Sequence, residues 1–256
     1  MSEERRRQIL ELAREAGTVA AAELATRFGV SVQTIRKDLN RLGEARLLAR
    51  THGGAKLASG VENMSHEARR SLAAEQKASI ARAVAALVPE AASLFLNIGT
   101  TTEAVAAALV GHDRLMVITN NINVASLMRP HEHLRVVVAS GEVRPSDGGI
   151  VGEAAVEFIR QFKVDFAIVG TSAIDADGAL LDFDYREVVV AQAIIANARH
   201  VVLAADATKH ERAAPVRIGH VSQVHTFVTD RCPDPDFRRL LAGFDVRLIE
   251  TAPANA

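Results

Sequence analysis

Apolar positions in the first quarter of the chain recur at helical spacing in three short blocks. Ile9 and Leu12 share one face of residues 4–16, and Gly17 ends that pattern. Leu24 and Phe28 repeat the spacing over 21–28, and Gly29 breaks it. Ser31 then stands where an N-cap belongs, and Ile35, Leu39 and Leu42 follow at intervals of four and three, which predicts a helix over 32–43. Two short helices about a glycine-containing turn make a helix-turn-helix. Beyond them, Leu47-Leu48-Ala49-Arg50 and Ala55-Lys56-Leu57 flank Gly53-Gly54, the pattern of a two-stranded wing.

Residues 58–75 are polar and lack a clear period, so the sequence predicts a small head over 1–57, a linker over 58–75 and a larger domain over 76–252. In that larger part helical and strand periods alternate. Helices are expected over 76–88, 101–109, 122–128, 153–162 and 187–198. Strands are expected over 93–97, 115–119, 134–139, 166–170 and 200–205, with two more at 226–229 and 246–249. Short β-branched strands alternating with helices predict an α/β domain whose mainly parallel sheet is covered on both faces. Neither an internal repeat nor a low-complexity tract interrupts it.

Charge divides the chain in the same place. Its formal net charge is −1, yet residues 1–56 hold 11 Lys+Arg against 7 Asp+Glu, and the remainder 19 against 24. A basic head on an acidic body suits a protein that meets phosphate at one end only. The single cysteine, Cys232, excludes an internal disulfide framework and a multi-cysteine metal site. With no apolar run near the roughly 18 residues of a membrane span and a charged start (Glu3, Glu4, Arg5, Arg6, Arg7), a cytoplasmic protein without membrane contact is expected.

On the helix 32–43 the apolar residues face inward, which leaves Gln33, Thr34, Arg36, Lys37, Asn40 and Arg41 outward. Gln and Arg can pair with base edges in the major groove, and Lys and Thr can hold phosphates. Taken alone such a face is more simply a solvated helix surface; the preceding turn and the following Gly-Gly wing favour a DNA reader. The stretches Arg6-x-x-Ile9, Phe28-x-Val30-Ser31-x-x-Thr34-Ile35-Arg36-Lys37-Asp38-Leu39 and Arg50-x-His52-Gly53-Gly54-Ala55 resemble the head signature of the DeoR family of bacterial repressors. The resemblance implies DNA contacts from Ser31, Gln33, Thr34, Arg36, Lys37, Asn40, Arg41, Arg50 and His52. Lys37 and Arg46 depart from the family, which usually has Arg and often Gly there; Lys37 keeps the charge without the guanidinium fork.

In the larger part, the strand Leu94-Phe95-Leu96 runs into Asn97-Ile98-Gly99-Thr100-Thr101-Thr102 and a helix. Glycine permits close backbone approach, and free N–H groups and hydroxyls at a helix start can hold an anion. An ordinary βα turn with a threonine cap explains the same letters equally well. Other strand ends add Thr119-Asn120-Asn121, Ser140-Gly141-Glu142, Gly170-Thr171-Ser172 with Asp175 beyond, and Asp206-Ala207-Thr208-Lys209. Ligands of open α/β sheets bind beyond the carboxyl ends of the strands, where these groups would converge. The body is similar to the DeoR-type sensor domain, related in fold to ribose-phosphate isomerase and CoA transferases. Ile98-Gly99-Thr100-Thr101-x-Glu103-Ala104-Val105-Ala106, Thr119-Asn120-Asn121-x-Asn123-Val124-Ala125, Asp147-Gly148-Gly149-Ile150-x-Gly152-Glu153-Ala154 and Phe183-Asp184-Tyr185-x-Glu187-Val188 resemble family members that govern glycerol catabolism.

That resemblance implies a repressor of glycerol 3-phosphate metabolism genes, released from operator DNA by a small phosphorylated effector such as glycerol 3-phosphate. It places Gly99, Thr100, Thr101 and Lys209 at the phosphate, and Thr119, Asn120, Asp175 and Glu187 near the polyol, with Asn97 and Gly141 beside them. Asn97, Ser140 and Ala191 replace the usual Asp, Gly and Lys, so another sugar phosphate is the alternative effector. A homodimer or homotetramer is expected, because one recognition helix reads few base pairs. An isomerase acting through Asp175, Asp177, Glu187 and Lys209 would leave the head without a purpose, so no enzyme is expected and no cofactor. His131-Glu132-His133 reads as solvated loop, not a metal site, because nothing in the spacing makes its ligands converge.

Overall fold

The computed structural model describes residues 2–251 except 17, 45, 46, 52, 58–65 and 233, with only the backbone described at 2, 14–16, 49, 50, 56, 57, 68 and 211. The chain divides into two compact units, Met1–Met64 and Ser65–Ala256. The first contains α1 (Ser2–Ala16), β1 (Thr18–Ala20), α2 (Ala21–Phe28), α3 (Val32–Glu44), β2 (Leu48–Thr51) and β3 (Gly54–Leu57). Ile9, Leu10, Leu24, Ile35, Leu39, Leu42 and Leu48 form its core. Gly29 ends α2 in the left-handed region, φ 62°, where glycine avoids the Cβ penalty.

The wing is broader than the sequence pattern implies. β3 pairs with both β2 and β1, giving the antiparallel order β1-β3-β2. Three residues of β1 carry no readable period, so only the pairing reveals that strand. Gly54 lies against the Val19 carbonyl, where a Cβ would collide with backbone.

The second unit opens with α4 (His66–Ser71) and α5 (Ala74–Ala85). The expected linker therefore ends earlier than 75. Residues 58–65 lie outside those described, and 66–71 form a helix tied to the body by polar contacts. There follow β4 (Ser93–Leu96), α6 (Thr100–Leu109), β5 (Met116–Thr119), α7 (Ile122–Met128) and β6 (Arg135–Val138). A short hairpin, β7 (Glu142–Val143) and β8 (Ile150–Val151), leads to α8 (Glu153–Ile159) and β9 (Val164–Val169). Next come β10 (Ala173–Ile174), β11 (Ala179–Asp182), α9 (Tyr185–Ala196), β12 (Ala198–Ala204), a 3-10 turn (Ala207–Glu211) and β13 (Val216–His220). The unit closes with β14 (Thr226–Thr229), α10 (Pro235–Gly243) and β15 (Arg247–Glu250).

Seven strands form one parallel sheet in the order β15-β14-β12-β9-β4-β5-β6. Alternate residues of each strand serve opposite faces. Leu94, Leu96, Val117, Ile168 and Val202 pack with α5, α6 and α7, while Phe95, Ile118, Ala167, Val169 and Leu203 pack with α8, α9 and α10. A small antiparallel sheet, β10-β11-β13, was not legible as strands because β10 has only two residues and β11 is buried along its whole length, without alternation.

β4 starts the sheet, β5 and β6 extend it to one side, and β9 returns to β4's other edge. The topological switch thus falls between β4 and β9, and the carboxyl ends of these strands mark the crevice where open α/β sheets bind their ligands.

Candidate functional sites

In the first unit α3 is built as a presenting helix. Ile35, Leu39 and Leu42 are buried, whereas Gln33, Arg36, Lys37, Asn40 and Arg41 are exposed and Thr34 is half-buried. Ser31 caps the helix: its Oγ accepts from the Thr34 N–H at 3.1 Å and lies 2.9 Å from the Thr34 hydroxyl. Asp38 faces inward instead. Its carboxylate, 4% exposed, takes a 2.7 Å hydrogen bond from Arg5 Nε and lies 3.9 Å from Arg6, fixing α3 to α1. The backbone of Arg50 pairs with Ala55 across the wing; the Arg50 side chain and His52 lie outside the described residues.

In the second unit the switch-point crevice gathers the start of α6, the end of β5 and the turn after β12. Gly99 precedes α6 with φ 142°, a conformation that side chains rarely adopt. Thr100 and Thr101 are buried at the first turn, where backbone N–H groups lack helical acceptors. Thr102, which the sequence reading passed over, braces the loop by donating to the Asn97 and Gly99 carbonyls, both at 2.7 Å. The Asn97 N–H donates to the Ile168 carbonyl of β9, while its Oδ1 is buried with no hydrogen-bond partner among the described residues. Thr119 is spent on structure: its hydroxyl donates to Leu96 O and accepts from the Asn121 N–H. Asn120 holds the Ile150 carbonyl at 3.2 Å through Nδ2, and its Oδ1 is buried without a hydrogen-bond partner among the described residues.

Cations converge on this crevice. Lys209 is 8% exposed in the turn after β12, and burial, opposed by Asp206 and reinforced by Arg212, Lys77 and Arg69, pushes its ammonium down to about 8. Lys77 on α5 is buried too and lowered chiefly by burial. Four positive side chains thus act on one another, and Asp206, the carboxylate common to Lys77, Lys209 and Arg212, also accepts from the Thr208 N–H and hydroxyl. Buried positive charge near a helix start can hold an anion.

Next to it lies an acidic half. Arg144 Nε and Nη2 hold Asp147 at 2.9 and 2.6 Å, Nη2 also meets Glu187 at 2.5 Å, and Nη1 meets Asp184 at 2.8 Å. Burial opposes the charge of Arg144, but Asp147 and Glu187 outweigh it and hold the guanidinium above its usual range. Burial raises Asp182. Burial and then the charge of Asp182 push Glu187 up to about 8, against Arg144. Asp182 and Glu187 resist ionising together, so the pair can hold a proton and donate as well as accept, which suits hydroxyl groups. Arg144 and Asp182 were missed because arginine in a loop and aspartate at a strand end carry no periodic signal.

Asp175 and Gly141 also belong to the expected set. Asp175 is exposed in the hairpin turn between β10 and β11, its N–H bonded to Ala179 O. Gly141 adjoins the Val151 carbonyl and Ile150, so its missing side chain serves backbone packing. Ala191, where the family usually has Lys, is buried in the apolar core, one helical turn after Glu187 on α9.

A winged helix-turn-helix followed by a parallel α/β unit with an anion-ready switch point is the make-up of a DeoR-family transcriptional regulator, and the chain belongs to that family: residues 5–61 match the DeoR-like helix-turn-helix domain and 72–231 the DeoR C terminal sensor domain. It is 46% identical over 245 residues, 96% of this chain and 97% of the other, to the glycerol-3-phosphate regulon repressor of Escherichia coli (strain K12). The protein of that name from Haemophilus influenzae is 49% identical over 90% of each chain. Among solved structures, ribose 5-phosphate isomerase A from Methanocaldococcus jannaschii aligns over 54% of each chain with 16% identity and a TM-score of 0.41. The chain is therefore a transcriptional repressor of the DeoR type, a regulator and not an enzyme, whose partners are operator DNA and a small-molecule effector. No helix among the described residues is long and apolar enough to cross a membrane.

Proposed function

We propose that this chain represses genes of glycerol 3-phosphate metabolism and leaves its operator when glycerol 3-phosphate occupies the switch-point crevice. The observation that carries the reading is the buried cation cluster of Lys209 and Lys77, the latter lining a pocket with Thr100 and Glu103 at the start of α6, in a chain 46–49% identical to repressors named for the glycerol-3-phosphate regulon. Gly99, Thr100, Thr101 and Lys209 take the phosphate. Glu187 and Asn120 lie towards the polyol, with Thr119 and Asn97 shaping the floor. Gln33, Arg36 and Asn40 read bases, and Ser31, Thr34, Lys37 and Arg41 meet DNA phosphates, with Arg50 and His52 on the wing. Two copies reading two half-sites make the repressor at least a homodimer.

The test is operator binding to the DNA upstream of its own gene, titrated with glycerol 3-phosphate, glycerol and a panel of sugar phosphates. Glycerol 3-phosphate should weaken operator binding roughly 5- to 150-fold, and glycerol should not. Release by a different sugar phosphate alone would replace the effector and keep the site; release by none would overturn the phosphorylated-effector reading. A 27.4 kDa species alone in sedimentation, with and without DNA, would overturn the dimer.

A further inference from the structure

α4 is six residues long, yet its side-chain ties to the rest of the body among the described residues run to Glu103 and Asp147. His66 Nε2 lies 2.9 Å from Glu103, which sits on the first turns of α6 and also accepts from Asn121 and Asn123. Arg69 Nη2 reaches Asp147 at 3.3 Å. Lys77 Nζ clamps the far end, donating to the carbonyls of Arg69 and, at 2.6 Å, of Leu72. Between α4 and α5, Ala73 takes φ 54°, a left-handed conformation that alanine adopts only at a cost.

Arg69 is the least satisfied of these ties. Asp147 already takes two shorter hydrogen bonds from Arg144 and one from the Gly149 N–H, so the long contact to Arg69 adds little. Arg69 Nε is buried with no hydrogen-bond partner among the described residues, as is Asn97 Oδ1, whose residue is 2% exposed. The same guanidinium repels Lys77, Lys209 and Arg212 through space, and the carboxylate nearest to it, Asp147, is shared with Arg144. A guanidinium offers paired N–H donors to a phosphate in a way that no lysine in the cluster can.

We propose that Arg69 is a direct ligand of the effector's phosphate, and that its capture draws α4 onto the crevice and so transmits occupancy to the chain segment that leads from the wing. This rests on the phosphorylated-effector reading above. A phosphate between Lys209 and Arg69 offsets the repulsion among the cations and supplies the acceptor that Arg69 Nε lacks. α4 is the first element of the body along the chain, so a change in its position reaches the segment before it without crossing the sheet.

The full-length protein is compared with Arg69→Gln and Arg69→Lys, using glycerol 3-phosphate and inorganic phosphate as probes. Binding is read by calorimetry, and operator release as the ratio of operator affinities with and without probe. Arg69→Gln should bind both probes about ten- to a hundredfold more weakly and lose the release ratio even at saturation; Arg69→Lys should recover part of both. Glycerol 3-phosphate should slow tryptic cleavage after Arg69 and Arg70 in the wild type. An Arg69→Gln protein that binds and releases as the wild type does overturns the proposal and leaves the effector reading intact. Weaker binding with an unchanged release ratio at saturation overturns the transmission step. A wild-type protein that binds neither these probes nor the sugar-phosphate panel overturns both readings. Circular dichroism verifies that each variant is folded, and Arg69→Lys, which keeps the charge, decides the matter if Arg69→Gln is not.

Discussion

Replacing Lys209 by methionine removes a charge that the fold holds at a cost. The unfolded lysine titrates near 10.5 and the folded one near 8, because burial and three neighbouring cations outweigh Asp206. Between those values the unfolded chain keeps a proton that the folded chain has released, so stability rises with pH over about 8 to 10.5 and this contribution is level below 8. The gap corresponds to about 3 kcal/mol of destabilisation at pH 7, of which about 2 kcal/mol is recovered by pH 9.5. Asp206 is not stranded by the substitution, since it keeps Thr208 and the charges of Lys77 and Arg212. Lys209→Met should therefore be more stable than the wild type by about 1–3 kcal/mol at pH 7, nearly equal to it at pH 9.5, and deaf to the effector. Urea denaturation followed by circular dichroism at both pH values, in phosphate-free buffer, measures the difference. A variant less stable at pH 7, or a difference that does not change with pH, would refute the account of Lys209 as a buried charge awaiting an anion.

Three further outcomes follow from particular contacts. Arg36→Ala should weaken specific operator binding by roughly 1–3 kcal/mol and relax sequence preference at one position, read by competition binding against mutated half-sites. Asp38→Ala leaves Arg5 without its buried partner and should destabilise the head by roughly 2–4 kcal/mol, read as an earlier unfolding step in denaturant. Thr102→Val strips a donor from two carbonyls under the phosphate loop, costing about 1–3 kcal/mol of stability and loosening effector binding while leaving operator binding in place.

The sequence made the presenting helix legible because its chemistry is periodic. Ile35, Leu39 and Leu42 at intervals of four and three set the inward face, and the outward set follows by subtraction. Asp38 escaped because it sits on the inward face and is polar. Only the fold shows that Arg5, thirty-three residues earlier, comes to neutralise it. The strands of the parallel sheet were legible for the same reason as α3. The strands β1, β10 and β13 were not, since a two- or three-residue strand, or one paired outside the main sheet, imposes no period on its residues.

The crevice was half legible for a more general reason. Residues at the C-terminal ends of parallel strands can be named from the sequence once the strands are known, and Asn97, Thr101, Asn120 and Lys209 were reached in that way. What such reasoning cannot supply is which of them already have partners. Thr119 is used up bracing β4, and Glu187 is shared with Arg144 and Asp182, whereas Asn97 Oδ1 and Arg69 Nε have no hydrogen-bond partner among the described residues. A buried polar atom without a partner costs free energy, so a fold keeps one where something else satisfies it. The surplus of cations around Asp206 and the donor Arg69 Nε therefore point to the same group, a compact anion with acceptor oxygens, whereas Asn97 Oδ1 lacks a donor and suits a hydroxyl. The carboxyl pair of Asp182 and Glu187, which resists ionising together, suits an uncharged hydroxyl. A ligand with a phosphate at one end and hydroxyls at the other answers both halves, and neither half alone would distinguish it from free phosphate or free polyol.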